Sequence, residues 1–319
     1  MTALSLGLST GIGAAGAAAP ASAAVSEQSE HVIVLLRDQH LDVLPDQAGM
    51  SRRSVVTGAE QSRLTADVAH SGGRLTASLH VLNAFAATVS AAESARLATD
   101  PAVASVVPDR LVAAPRHQAE PTGTSAPVDP TGPRSTSRVL CPADPAHPLL
   151  EPQALELTHT ANSDPAVPSA QQIATGKGVR VAFLADGLDV NLPDFIRADG
   201  SHVIADYKDF SGEGLAAPTS GAEAFGDASA IAAQGRQRYD LSQFVNPAHP
   251  LPAGCTIRVL GTAPDAQLVA IKVFPAGGFG FNSAILAGLE YAVTVDHVDV
   301  VNESFGSNQF PDTNNAVRP

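Results

Sequence analysis

The chain has 319 residues, 44% of them hydrophobic and 16% charged, long enough for two domains that each bury a core. Trp is absent and aromatic residues make up only 4%, so those cores must be built from Ala, Val, Leu and Ile. A formal charge of −13 repels a phosphate backbone and gains nothing at an anionic bilayer, which argues against nucleic acid and membrane surfaces as partners.

Residues 1–24 are small and apolar and end in Ala21-Ser22-Ala23, the pattern of a secretory h-region and cleavage site, although no basic n-region precedes it. Export is the expectation, with a disordered leader as the alternative. No later segment approaches the ~20 uncharged apolar residues that a membrane span needs. Cys141 and Cys255 are the only cysteines. They could pair in an oxidising compartment, but their spacing fits no metal site, and two unpaired thiols are the plainer reading.

A first domain is expected over residues 30–113. HVIVLL from His31 reads as a buried strand, and Ser51 to Ser71 as a helix carrying Val55, Ala59, Leu64 and Val68 at near-helical spacing, stopped by Gly72-Gly73. Leu75 to Ser90 reads as two strands broken near Asn83, Ala91 to Thr99 as a second helix, and Ala102 to Val112 as a last strand. Strand, helix, strand, strand, helix, strand is the split βαβ order of an α+β ferredoxin-like domain. HVIVLL followed by LNAFAATVSAAESARLATDPAVASVVPD resembles the inhibitor propeptide of subtilisin-like proteases. That resemblance implies an intramolecular inhibitor of whatever follows it.

Residues 114–169 are rich in Pro, Ser, Thr and Ala with no sustained period, which predicts a linker. In the family that the flanking segments resemble, the propeptide is cut away in such a stretch.

Residues 170–319 read as an α/β unit. VRVAFLA after Gly178 and LVAIKVF (Leu268 to Phe274) are unbroken apolar runs suited to strands buried on both faces of a parallel sheet. ASAIAAQG and Asn282 to Asp296 read as helices, and Val298 to Gly306 as a third strand. This alternation predicts right-handed crossovers, with ligands gathered at the carboxyl ends of the strands. GTAPDAQLVAIKVFPAGGFGFNSAILAGLEYAVTVDHVDVVNESFGS, from Gly261 to Ser307, and GKGVRVAFLADGLDVNLPDF resemble the N-terminal part of a subtilisin-like catalytic domain, with one insertion near Arg236 to Gly254. The resemblance implies a partial subtilisin-like parallel sheet with flanking helices, polypeptide substrates, and main-chain pairing of a substrate strand with Ser304, Phe305 and Gly306.

Serine-protease chemistry needs a nucleophilic Ser, a His that takes its proton and an Asp that orients the imidazole. Where the family has Leu-Asp-(Ser or Thr)-Gly, this chain has Leu184-Ala185-Asp186-Gly187. Side chains alternate along a strand, so a carboxylate moved by one residue points away from its usual partner unless the turn re-aims it. Asp186 is therefore a candidate triad acid or, alternatively, an acid that bonds its own turn. The family's His falls on Asp227, and an ordinary carboxylate is too weak a base for this role near neutral pH. Asp227 also reads as a helix N-cap. Glu223 and Asp227 are four apart, and on a helix they would share a face, similar to the Glu/Asp pair of the acid-acting sedolisins.

Among histidines, His202 follows the first strand's loop, His249 lies in the Pro-rich insertion, and His297 falls at the base of the last strand. His249 is the one conceivable substitute base. Asn302-Glu303-Ser304 matches a glycosylation sequon but falls on a segment expected to be a buried strand. No cofactor is expected, with calcium left open: Asp189 and Asp194 lie near the first strand, but no loop has calcium-ligand spacing. No Gly-Thr-Ser or Gly-x-Ser-x-Gly follows Gly261, so the resemblance implies a secreted subtilisin-type serine endopeptidase precursor that lacks its nucleophile region here and is inactive alone. The alternatives are a non-catalytic peptide-binding descendant and a protease with Glu and Asp in place of His.

Overall fold

The structure, a computed structural model of the chain, describes residues 29–44, 46–114, 149–151, 154–162, 164–215, 222–243 and 253–306. The leader and most of the 114–169 stretch lie outside the described residues.

The first unit runs β1 (Ser29–Leu36), α1 (Gln47–His70), β2 (Arg74–Leu79), β3 (Ala84–Ser90), α2 (Ala91–Thr99), β4 (Val103–Pro108). Its strands form one antiparallel sheet in the order β2-β3-β1-β4. Alternation sorts the side chains by face. Val32, Val34, Leu36, Phe85, Ala87 and Val89 join Leu64 and Val68 of α1 and Leu97 of α2 in one core, while Ile33, Ala84 and Ala86 look out of the opposite face.

Helix α1 begins four residues before the expected Ser51, because the Asp46 carboxylate accepts from Gly49 N at 2.7 Å and caps it there. Its inward stripe also differs from the expected one: Val55 is 74% exposed, whereas Arg53, Thr57 and Gln61 are buried. Those polar side chains are buried because they serve backbone carbonyls and a turn. Arg53 donates to the carbonyls of Val81 and His40, and Gln61 Nε2 donates to Leu79 O and to Asn83 Oδ1.

The expected strand Ala102 to Val112 is two strands. It breaks at Asp109-Arg110, and β5 (Leu111–Ala113) leaves the first sheet altogether. The stretch expected to be a linker, 114–169, also contains structure: β6 (Leu149–Glu151) and α3 (Ala154–Leu157) lie within it, and Leu155 and Ala161 pack with Leu260.

The second unit contains β7 (Arg180–Ala185), β8 (Ile204–Asp209), α4 (Ala222–Ala232), β9 (Tyr239–Asp240), β10 (Thr256–Val259), β11 (Gln267–Lys272), β12 (Phe279–Phe281), α5 (Asn282–Thr294) and β13 (Val300–Asn302). Its main sheet is parallel in the order β13-β7-β11-β8, so this is a mixed α/β architecture. Val181, Phe183 and Ala185 of β7 face α4 through Ala224, Ala228 and Ala232. Ala182 and Leu184 face α5 through Ile285 and Ala292, which makes three layers. A small second sheet, β6-β10-β9, lies beside them. Cys255, just before β10, is disulfide-bonded, which overturns the unpaired-thiol reading; Cys141 lies outside the described residues.

Helix α5 joins the two units. Leu286 and Ala287 pack on the outward face of the first sheet, against Ile33, Leu79, Ala84 and Ala86. The Asp109 carboxylate accepts from Ser283 N and Ser283 Oγ at the start of α5, and the Glu290 carboxylate accepts from His80 N and Val81 N of the first unit.

Candidate functional site

Strand β7 ends at Ala185, whose side chain is fully buried toward α4. That is the slot in which the resembled family carries its acid, and here it holds a methyl group. Asp186 follows where strand alternation has stopped. Its carboxylate is buried, at 7% exposure, and Oδ1 accepts from Ala224 N at 2.9 Å. The turn therefore re-aims Asp186 onto the first turn of α4, where backbone N–H groups have no intrahelical acceptor. Asp186 thereby bonds a residue 38 positions away in the chain.

Helix α4 opens at Ala222, so Asp227 sits in its second turn and is not an N-cap. The reason is packing: Ala224, Ala228 and Ala232 form an i, i+4, i+8 stripe on the sheet, and the helix extends back to include all three. Glu223 and Asp227 are half-buried and one turn apart on the same helix. Asp227 Oδ1 accepts from Ser304 Oγ at 2.9 Å, and Ser304 Oγ in turn accepts from Asn302 Nδ2 at 3.0 Å. Asp227 and Ser304 are thus brought together, and Asp186 and Glu223 lie at the start of the same helix.

The last strand is shorter than expected. β13 stops at Asn302, and Glu303, Ser304 and Gly306 are exposed. Among the described residues β13 pairs with β7 alone, so its other side is open. The sequon residues Asn302 to Ser304 are accordingly not buried in a strand.

Beside this exposed stretch lies the segment that left the first sheet. β5 pairs antiparallel with β12 in the register Phe279↔Ala113, Gly280↔Val112, Phe281↔Leu111. Gly280 permits the close approach: a Cβ there would lie 2.5 Å from Val273 O. Val112 and Ala114 turn inward against the cluster of Val273 and Phe274, which Phe305 also joins, whereas Leu111 is 56% exposed. Phe274 and Phe305 meet edge to face at 5.0 Å. Ala113 and Ala114 line one groove of about 580 Å3 with Glu303, Ser304, Phe305 and Gly306. Ser304 to Gly306, expected from the sequence to meet a substrate strand, form one wall of this groove, and Ala113-Ala114, which the sequence reading did not point to, form part of another. The signal was present in Asp109-Arg110, a polar break inside an apolar run.

Charge around the strand ends is already paired. Lys272, in register with Ala185, is 1% exposed and donates through Nζ to Glu213 Oε2 at 3.0 Å. The Ala276 N–H and then Lys272 hold Glu213 below the usual carboxylate range. Burial pushes Asp209 upward, but the Ser211 hydroxyl and the Gly214 and Ser211 N–H groups outweigh it and lower it overall.

Neither His202 nor His297 reaches the site, and His31 stacks on Phe281 of β12 at 4.6 Å. His202 is exposed in a bridge with Ile196, and His297 is exposed with its ring between Val293 O and the Gln47 side chain. His249 lies outside the described residues. Asp194 is consumed as an acceptor for Arg236 N, Gln237 N and Tyr239 Oη, which pushes Tyr239 up to about 12, burial being the larger cause. Asp189 accepts from Asn191 N. Asp38, His40 and Glu60 of the first unit place donor atoms within 4.8 Å of one another. That trio is internally bonded, His40 Nε2 to Glu60 at 3.0 Å, with Asn83 Nδ2 also on Glu60.

The chain is similar to subtilisin-type proteases over about two-fifths to one-half of its length. It is 34% identical over 133 residues to the minor extracellular protease Vpr of Bacillus subtilis, covering 42% of this chain and 14% of that protein. It is 32% identical over 136 residues to subtilisin E of the same species, 41% of this chain and 28% of that protein. To the alkaline protease of Alkalihalobacillus alcalophilus it is 33% identical over 172 residues, 51% of this chain and 37% of that protein. The chain therefore spans well under half the length of these relatives. No protein-family model matches it.

Proposed function

We propose that residues 170–319 carry the substrate-strand half of a subtilisin-type serine endopeptidase and that residues 30–113, a ferredoxin-like inhibitor propeptide, hold its groove shut. The observation that carries this reading is the course of Leu111–Ala113: it abandons its own sheet, pairs with β12 and runs into the groove beside Ser304 to Gly306. An extended segment bound by main-chain pairing, with alternate side chains buried, is how a sheet edge holds a peptide of little fixed sequence. Polypeptide substrates follow from that mode, and the small-residue leader supports export to the extracellular space. The test is competition. Val112→Pro removes a ladder N–H, so the variant should bind a fluorescent peptide copying residues 109–114 while the parent, its β12 edge already paired with Leu111–Ala113, should not. Equal binding by both would sink the proposal.

A second reading, a peptide-binding module without hydrolysis, is favoured by a methyl group in the acid slot at Ala185 and by the engagement of Asp227 with Ser304. A carboxylate of ordinary basicity at Asp227 cannot activate a serine near neutral pH. Under this reading, the protein gives no labelling by a serine-directed phosphonate. Labelling that disappears when the reacting Ser is replaced would restore the enzyme.

A further inference from the structure

Directly under the seat of the first unit lies a group of charges unrelated to the groove. Asp296 follows α5, is 7% exposed, and its Oδ2 receives no hydrogen bond. Its Oδ1 lies 3.8 Å from Arg180 NH1, at the start of β7, and that guanidinium already donates to the Asp296 main-chain carbonyl. The Asp206 side chain of β8 faces Asp296 within hydrogen-bonding range. Asp206 Oδ2 takes the single proton of Tyr291 Oη at 2.8 Å, so Tyr291 cannot also serve Asp296. The other charged groups nearby are His297, next in the chain, and Lys208, whose Nζ lies 5.5 Å from the Tyr291 ring.

Asp296 Oδ2 is an orphan buried acceptor, and a further carboxylate, that of Asp299, accepts from Arg180 N close by. A single proton on the Asp296–Asp206 pair satisfies the orphan. We propose that Asp206 and Asp296 share one proton as an acid–carboxylate pair, a latch that ties β8 to the C-terminal turn of α5 and that opens as the solution becomes alkaline. Burial, and then the Asp206 charge, push Asp296 above the ordinary carboxylate range against the opposing pull of Arg180, in the same direction as the geometry. The hydrogen bond to Asp206, with burial second, pushes Tyr291 up to about 12, so its hydroxyl stays protonated as donor throughout.

The latch matters to the first unit because the same turn supports it. Tyr291, Thr294 and Val295 line a cavity of about 550 Å3 shared with Gln47, Met50 and Ser54 of α1, and His297 meets the Gln47 side chain at 3.2 Å. Asp296 binds more protons folded than unfolded, so its contribution is fully present below the ordinary carboxylate pKa and is lost as pH rises through the folded value. This holds whether or not the second unit hydrolyses peptides.

The test uses the full chain. Thermal melts of the parent and of Asp296→Asn, whose amide donates to Asp206 at every pH, are compared from about pH 4 to about pH 9. The parent should fall relative to the variant by at least about 2 °C as pH rises, and amide protection over residues 290–297 should fall with it. Infrared spectra of aspartate-13C-labelled protein should show at about pH 6, where the ordinary Asp carboxyls together carry well under one proton, a protonated carboxyl band in the parent that Asp296→Asn lacks. Parallel melting curves, or no such band, would overturn the proposal. So would a melting temperature raised by calcium or magnesium with no acid band, which would put a cation in place of the proton.

Discussion

Asp109 is the contact through which the first unit most directly supports the second, and its removal has a calculable effect. Helix α5 opens at Asn282, and its N-cap residue, Phe281, offers no side-chain acceptor. The cap comes from Asp109 across the unit boundary: Oδ1 accepts from Ser283 N at 3.0 Å and Oδ2 from Ser283 Oγ at 2.6 Å, with Asp109 and Ser283 both buried. Loss of an N-cap costs about 0.5–2 kcal/mol, and a buried donor left without a partner costs about 1–3 kcal/mol. These overlap, so Asp109→Ala should destabilise the start of α5 by about 2–3 kcal/mol, roughly 30- to 150-fold in a local opening equilibrium. Two docked units break two-state bookkeeping, so the assay is native-state hydrogen exchange read at the Ser283 and Ile285 amides. Asp109→Asn, which keeps one acceptor, should fall between parent and Ala variant. Exchange at Ser283 unchanged within about twofold in Asp109→Ala would refute the view that the first unit caps this helix.

The reciprocal contact should behave alike: in Glu290→Gln only one acceptor oxygen remains for His80 N and Val81 N, now at 2.7 and 2.9 Å, so one of those amides should exchange about tenfold faster. Gly261→Ala should cost about 1–3 kcal/mol or more, because the new Cβ would stand 2.4 Å from the Ala232 backbone N; an unchanged melting temperature would contradict the packing described. Glu213 is held below the usual carboxylate range by Ala276 N–H and Lys272. Its stabilisation is therefore present above the ordinary carboxylate pKa and is lost as pH falls through the lowered value, so the parent should lose more stability on acidification than Glu213→Gln, as thermal melts from about pH 6 to about pH 3 would show.

The sequence made the regular elements readable wherever apolar periodicity governs them. The strand at Arg180–Ala185 and the helix at Asn282–Thr294 lie where their apolar patterns place them, because each buries that pattern directly. It failed where burial is polar: Arg53 and Gln61 face inward on α1 to serve the carbonyls of His40, Val81 and Leu79, which no hydrophobic period announces. It also failed where partners are remote. Asp227 looked like a cap because it stands just before ASAIAAQG, the stretch that reads as a helix, but the alanine stripe that extends α4 back to Ala222 becomes visible only against the sheet. The aim of Asp186 at Ala224 and the departure of β5 toward β12 are likewise set by residues far along the chain. The offset of the acid from Ala185 to Asp186 was legible, and its consequence was not.

The central claim, that the chain's own Leu111–Ala114 segment lies along the groove beside Ser304 to Gly306, is open to one direct measurement. A photo-crosslinking residue placed at Ala113 in the full chain, activated and mapped by peptide mass spectrometry, should join to Glu303, Ser304, Phe305 or Gly306, with which Ala113 shares the groove. Crosslinks spread over solvent-facing residues of the first unit, with none in 303–306, would contradict it.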